Sequence, residues 1–376
     1  MSDKFIVEVS KIDNVREHTN ATKLQITEIK GWQIVIGKDL FQTGDLVVFI
    51  PPDAVLPKEL SDRLEVTQYL KSGQRVRPVR LRGEISHGLV ISPDDLSWSV
   101  GKDVADYYGI TKYQPPFVQD RITRGQKRRP SKWYQRWFPY WLQKLLRLPT
   151  YYPHPGLPEH PLFPRYTDIE NLRHWPDVFG KTDLVYLSEK IHGSSGRIAI
   201  IHGKKMAGSH NVRRVKPLNI ANPTSSDRDN ALYWWPWTVP GVEPMLKDLA
   251  QSHKQVVLYG EIYGKDIQKF EYGQTGLAFV AFDLLIDGKF QYWSDLKQIC
   301  GKYHVPVVPD LGLHLYSLDT IKTLANGKSM LSNDNIREGI IVRPLSETRN
   351  PKIGRLILKY CSDDYYTKEI EDIKES

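Results

Sequence analysis

The sequence predicts an α+β protein in two unequal parts, a small β-barrel or sandwich over residues 1–115 and a larger mixed domain over 166–376. Three observations predict this. The first 115 residues carry short β-rich segments broken by turn residues. From about residue 166, buried-strand and helix patterns mix without the regular alternation of a doubly wound sheet. The 376 residues are also enough for two or three domains with cores of their own.

In the first part, Trp32 to Ile36 reads as a strand ending at Gly37-Lys38-Asp39. Leu46 to Ile50 begins after Gly44-Asp45 and stops at Pro51-Pro52, which cannot continue a ladder. Val76 to Leu81 and Gly88 to Ile91 flank Gly83-Glu84. Short strands at this density suggest a closed or nearly closed β-structure. Arg75, Arg77, Arg80 and Arg82 crowd one segment. They read either as a barrel face that meets nucleic-acid phosphates or as a solvated basic strand edge.

The positive charge is concentrated. Arg121 to Arg147 holds nine basic residues and no acidic ones; taking that +9 from the net +8 leaves the rest of the chain at −1. Within it Trp133, Trp137 and Trp141 recur at helical spacing, so they would share one face. Such a helix could pack its stripe on a neighbouring domain, offer a stacking platform to nucleic acid, or lie at a membrane surface. A Pro-rich run follows, and 116–165 is read as an insertion and linker. His154 and His160 stand among those prolines and read as loop residues.

In the second part, Leu184 to Leu187, Arg197 to Ile201, Gln255 to Tyr259, Ala278 to Leu285, Gly339 to Val342 and Arg355 to Leu358 read as buried strands. Glu243 to Ser252, Trp293 to Lys302, Leu318 to Asn326 and the charged tail Tyr366 to Glu375 read as helices. No apolar run approaches a membrane span, and the first residues lack the apolar core of a secretory signal. Cys300 and Cys361 are the only cysteines, too few for a disulfide framework, which fits a cytoplasmic or other reducing intracellular compartment.

The chemistry concentrates in Ser188-Glu189-Lys190-Ile191-His192-Gly193-Ser194-Ser195-Gly196. A strand ends in a lysine and a Gly-rich turn follows. The lysine precedes the glycines and no helix comes after, so this is not a P-loop. A lysine at a buried strand end can serve as a nucleophile once its pKa is lowered. Further along, Tyr259-Gly260-Glu261 places a carboxylate at a strand end, and Phe282-Asp283 pairs an aromatic with a carboxylate. Glu338 opens a strand that continues through Arg343, and Lys359 closes another.

In that order these segments resemble the motif series of the covalent nucleotidyltransferases, the ligase and capping-enzyme superfamily, over residues 166–376. His192 in Lys-x-His-Gly resembles the RNA ligases. Only 17 residues follow Lys359, too few for the C-terminal barrel of DNA ligases and capping enzymes. A β-rich part in front resembles the nick-sealing RNA ligases with an N-terminal OB-fold module. The resemblance implies an OB-like barrel followed by an α+β nucleotidyltransferase (ATP-grasp-like ligase) domain.

It also implies an ATP-dependent RNA ligase using Mg²⁺ or Mn²⁺, a monomer acting on RNA or RNA-containing duplexes with 3′-OH and 5′-phosphate ends. Lys190 would form a lysyl-AMP phosphoamide, and Lys359 would hold the α-phosphate and help depress the Lys190 pKa. Glu338, with Asp283, would serve a hard cation. Glu261 would contact the ribose, Phe282 would stack on adenine, and Glu189, His192 and Gly193 would shape the nucleotide site. Two positions depart from the pattern. His210 stands where relatives place an arginine, with Arg213 or Arg214 as candidate substitutes for nucleic-acid or phosphate contact, and Ile357 replaces a lysine. The alternatives are a DNA ligase or guanylyltransferase of the same fold, and a non-catalytic nucleic-acid-binding protein.

Overall fold

The computed structural model describes residues 5–70, 74–113, 157–224, 227–367 and 372–373. The basic aromatic stretch from Arg121 to Arg147, together with His154, lies outside them.

In the N-terminal part, Glu8–Lys11, Leu46–Ile50 and Leu89–Ile91 form one antiparallel sheet, and Asn14–Glu17, Leu24–Ile29 and Trp32–Gly37 another. Leu46–Ile50 is apolar throughout because both of its faces are covered. Val48 and Ile50 enter a core with Val7, Val9 and Trp98, while Val47 and Phe49 enter one with Ile29, Trp32 and Ile34. Alternation with period two feeds both cores from one strand. Lys30 and Gly31, both at positive φ, close the hairpin in which Ile29 faces Trp32. Thr111–Lys112 pairs with Ala54–Val55, and Val79–Leu81 pairs with Glu84–Ser86.

From residue 157 onward two sheets face each other. The first runs Glu170–Asn171, Leu358–Cys361, Gly339–Pro344, Leu184–Lys190 and Asp310–Leu315. The second runs Arg213–Arg214, Lys204–Ser209, Ser194–Ile201, Gln255–Gly264, Leu277–Ile286 and Lys289–Phe290. Ala199, Ile201, Val257 and Ile341 point between the sheets, into one core with Ile357. Their strand neighbours Ile198, Ile200, Val256 and Leu258 point outward beneath the helices Val242–Ser252 and Trp293–Lys302. The helix Leu318–Ala325 covers the first sheet through Ile321 and Ala325.

The expected α+β mixture is what the chain forms, with three local differences. Lys359 lies inside a strand, Leu358–Cys361, rather than at the end of one. The tail is not one helix: a short helix, Asp363–Thr367, is followed by a strand, Asp372–Ile373, parallel to Val79–Leu81 of the N-terminal part. Charge composition alone does not disclose a pairing with a strand almost three hundred residues away. The helix Arg228–Trp234 and the strands Lys204–Ser209 and Asp310–Leu315 were not expected. No described helix is long and apolar enough to cross a membrane.

Candidate active site

Lys190 ends a strand of the first sheet, and Ser194 begins a strand of the second. The turn between them therefore crosses from sheet to sheet. The backbone N–H of His192 donates to the Tyr272 hydroxyl at 2.8 Å. Gly193 packs so closely that a Cβ there would meet the Ile262 carbonyl oxygen at 2.4 Å and Glu261 Cγ at 3.0 Å. Any larger residue would push the turn off the Glu261 strand.

Sheet register sets the lysine's partner. Lys190 lies opposite Gly339, so Glu338 falls beside it, and Lys190 Nζ donates to Glu338 Oε1 at 2.6 Å. Glu338 Oε2 lies 3.6 Å from His192 Nδ1, and the Tyr365 hydroxyl lies 3.2 Å from that same nitrogen. Glu338 Oε2 is buried and makes no hydrogen bond among the described residues. Burial alone would favour neutral forms of both Lys190 and Glu338, yet their mutual attraction overrides it. Glu338, with Cys361 and Glu261 behind it, raises the lysine's pKa, and Lys190 and His192 lower that of Glu338. Burial pushes the Glu261 carboxyl up to about 8, Lys190 pulling it down and Glu338 pushing it further up.

The lowering of the Lys190 pKa expected from Lys359 together with a divalent metal is not what the protein groups alone produce, which is a rise. The Glu338 carboxylate, 2.6 Å from Nζ, favours the ammonium form of Lys190.

Lys190 faces a cavity of ≈ 520 Å³. Glu189, Gly193, Glu261, Phe282 and Lys359 line it with Lys190, while Glu338, which pairs with Lys190, and His192, which faces Glu338, stand behind the lining. The Glu189 carboxylate, however, accepts from the Met330 amide at 2.8 Å and stands 3.6 Å from Arg337 Nε. Its neighbour Lys190 takes the pocket-facing side of the strand. The same alternation separates Phe282 from Asp283. Phe282 lines the cavity, edge-on to Tyr166 at 4.9 Å. Asp283 is buried against Arg355 Nη1 and the Tyr166 hydroxyl, 2.6 Å from each. Asp283 therefore cannot also serve a metal in the cavity, and that expectation is corrected.

Ile357, where a lysine was looked for, is buried in the core between the sheets. His210 lines the cavity, its Nε2 3.3 Å from Asp168. Arg213 and Arg214 do not line it. Arg213 donates to the Pro158 carbonyl at 3.3 Å, and Arg214 lies 3.7 Å from Asp229 and over the Tyr233 ring. In the N-terminal part, Arg75 pairs with Asp53 and lies 3.8 Å over the Tyr113 ring. Arg77 is exposed, Arg82 is partly covered, and Arg80 donates to the Gly83 carbonyl at 3.1 Å.

Sequence reasoning missed three charged residues of the cavity: Arg343, Asp168 and Lys112. Arg343 was detectable, since it follows Ile341 by two residues on one strand and both line the cavity. Lys112 comes from the N-terminal part, which no local pattern discloses. No group of three or more His, Cys, Asp or Glu is preassembled as a metal site among the described residues. A hard cation of the Mg²⁺ type is commonly held by one or two carboxylates plus substrate phosphates and water. The unpartnered oxygen of Glu338, with Glu261 close by, fits that donor set.

The family model for RNA ligase matches residues 183–361, and one for an OB-fold domain matches residues 6–93. No curated protein matches the chain in sequence. Among solved structures, a mutant of the Naegleria gruberi RNA ligase with AMP and Mn aligns with TM-score 0.70 and 21% identity, over 97% of this chain and 99% of that one. A mutant of that ligase with ATP and Mn gives TM-score 0.70 and 22% identity, again over 97% and 99%. The ligase with PPi gives TM-score 0.69 and 21% identity over the same shares. Likeness at that identity shows the fold.

Proposed function

The chain is an RNA ligase with an N-terminal OB-fold module, its residues 183–361 belonging to the RNA ligase family, and from that premise we propose that it uses ATP to form a lysyl-AMP intermediate on Lys190 and seals nicks in RNA-containing duplexes. The observation that carries the reading is that Lys190 and Glu261 line one nucleotide-sized cavity, with Glu338 bonded to Lys190 behind it. The ATP, AMP, PPi and Mn of the Naegleria ligase structures support the same cofactors here.

In the first step Lys190 gives up its ammonium proton to solvent at the cavity mouth, and its amine attacks the α-phosphorus of ATP. A P–N bond forms and the bond to pyrophosphate breaks. Transfers of this kind depend mainly on positioning and charge neutralisation. Lys359 and Arg343 supply positive charge in the cavity, and Phe282, held edge-on by Tyr166, offers a face to the adenine. Glu261, which lines the same cavity, contacts the ribose in this reading. Glu338 keeps the proton on Lys190 until nucleotide binds, so the resting enzyme carries an unreactive ammonium. A divalent cation, Mg²⁺ or Mn²⁺, held by Glu338 would offset that carboxylate's hold on the lysine and the charge developing on the phosphate. The adenylate then moves to an RNA 5′-phosphate, and a 3′-OH displaces AMP.

We divide the chain into an OB-fold module at 1–115, an insertion and a transferase domain, and move the expected start of that domain at 166 back to 157, because Phe163 is buried in its core with Ala199 and Val257. The arginines of the 75–82 segment fall on the nucleic-acid side. We read the protein as a monomer of a reducing compartment, consistent with two buried, free cysteines.

Incubation with α-labelled ATP and a divalent metal, followed by a denaturing gel, tests the proposal. An acid-labile labelled band is expected in the wild type and none in Lys190→Ala. Label from GTP but not ATP would move the chain to guanylyl transfer, and no label with either would leave a nucleic-acid-binding protein.

A further inference from the structure

Between the OB-fold module and the transferase domain one arginine is almost completely enclosed. Arg173 is 1% exposed. Its guanidinium stands 4.6 Å from the ring centroid of Trp32, in the module, and 4.2 Å from that of Tyr360, beside Lys359. Nη1 donates to the Gly31 carbonyl at the hairpin tip, 3.2 Å away. Nη2 donates to Asp363 Oδ1 at 2.6 Å and to the Cys361 carbonyl at 3.2 Å. Only a planar, forked cation can stack on two rings and bond at its edges together.

The chain beyond Asp363 is laid across the same boundary. Asp363 Oδ1 also lies 3.2 Å from Nε2 of His87, a buried module residue. Tyr365 reaches back to His192 beside Lys190, while the Tyr366 ring meets His87 edge-on at 5.8 Å. Asp372–Ile373 then pairs with Val79–Leu81 of the module.

We propose that Arg173 is a positioning residue: with Asp363 it latches the OB-fold module to the transferase domain and keeps the C-terminal segment seated across both. Latching holds Tyr365 on His192 and Lys112 on the nucleotide cavity. Opening it frees the module's edge and loosens the turn that carries Lys190. The activity consequence rests on the RNA ligase reading; the docking consequence does not.

The test uses the full chain and compares wild type with Arg173→Ala, Arg173→Lys and Asp363→Asn. Hydrogen exchange should quicken by about tenfold or more at Trp32–Gly37 and Val79–Leu81 in Arg173→Ala and Asp363→Asn, with Gln255–Gly264 unchanged. Arg173→Lys, which keeps the charge but not the double stack, should fall between. In self-adenylylation, KM for ATP should rise by about fivefold or more while kcat stays within about twofold.

Wild-type protection of the module in Asp363→Asn overturns the latch, and this holds even where Arg173→Ala fails to fold. Uniformly faster exchange, Gln255–Gly264 included, reduces Arg173 to a general stabiliser and overturns it too. Faster module exchange with an unchanged KM overturns the positioning role. A wild type that takes no label defeats the ligase reading alone, since exchange still decides the latch.

Discussion

Two buried clusters of opposite charge lie within a few strands of each other, and they differ in how completely they are closed. Around Arg355 every charged group is satisfied. Its Nε and Nη2 bond the two Glu347 carboxylate oxygens at 2.7 and 2.6 Å, and Nη1 bonds Asp283 at 2.6 Å. The other Asp283 oxygen takes the Leu284 amide at 3.0 Å, and the guanidinium lies 3.6 Å over Phe290. Around Lys190 the account stays open. Glu338 Oε2 has no hydrogen bond among the described residues, and Glu261 is raised to about 8. A fold gains nothing from leaving buried carboxylates in that condition. The closed cluster is architecture, while the open one keeps the polar groups that the proposed mechanism assigns to phosphates and a cation.

The contrast can be broken from the closed side first, where the largest effect on stability is expected. Asp283→Ala leaves Arg355 with half its ion pairing in a buried setting, and removing one partner of such a pair typically destabilises by about 3–5 kcal/mol. Denaturant unfolding measures it. The folded fraction should still form the lysyl adenylate, because Asp283 does not reach the cavity. A stable variant that has lost adenylylation would return Asp283 to the chemistry.

Glu338→Gln attacks the open cluster and should do the reverse. Its amide is nearly isosteric and still accepts from Lys190, which is partly exposed and can shed its proton. Unfolding should therefore move less than in Asp283→Ala, by about 1–2 kcal/mol, whereas self-adenylylation at saturating ATP should fall by about 100-fold, equivalent to about 2.7 kcal/mol. Near-normal turnover would remove Glu338 from both the metal and the lysine.

These two clusters also show where the sequence was readable. Lys190 ends its strand and Glu261, Phe282 and Lys359 lie within theirs, and those strands announce themselves as short apolar runs. The α+β class and the two-part organisation follow from those same runs. Asp283 was misread because residue type says nothing of which face a strand turns inward until its register is known. Arg173 and the C-terminal strand were invisible for a further reason. Arg173 and Asp363 are 190 residues apart, and their meeting is fixed by how two domains dock. Lys112 entered the cavity by the same docking. Local patterns specify elements; only the packed fold specifies such meetings.

The smallest effect comes from Glu261, and it sharpens the contrast through pH. Its carboxyl rises from the ordinary 4.5 to about 8 in the folded protein, chiefly through burial. Between those values the folded chain holds a proton that the unfolded chain has released, so wild-type stability must fall as pH climbs through that window. Glu261→Gln cannot titrate and loses this slope. It should match the wild type near pH 5 and exceed it at pH 8 by about 1–2 kcal/mol, less than the full shift implies because the side chain is partly exposed. Denaturant midpoints at pH 5, 6.5 and 8 measure the difference. ATP with a divalent cation should erase it, because the bound charges favour the ionised carboxylate that the empty cavity disfavours. Parallel pH profiles for the two proteins would mean that the carboxylate is already satisfied at rest, leaving Glu338 alone to distinguish the open cluster from the closed one.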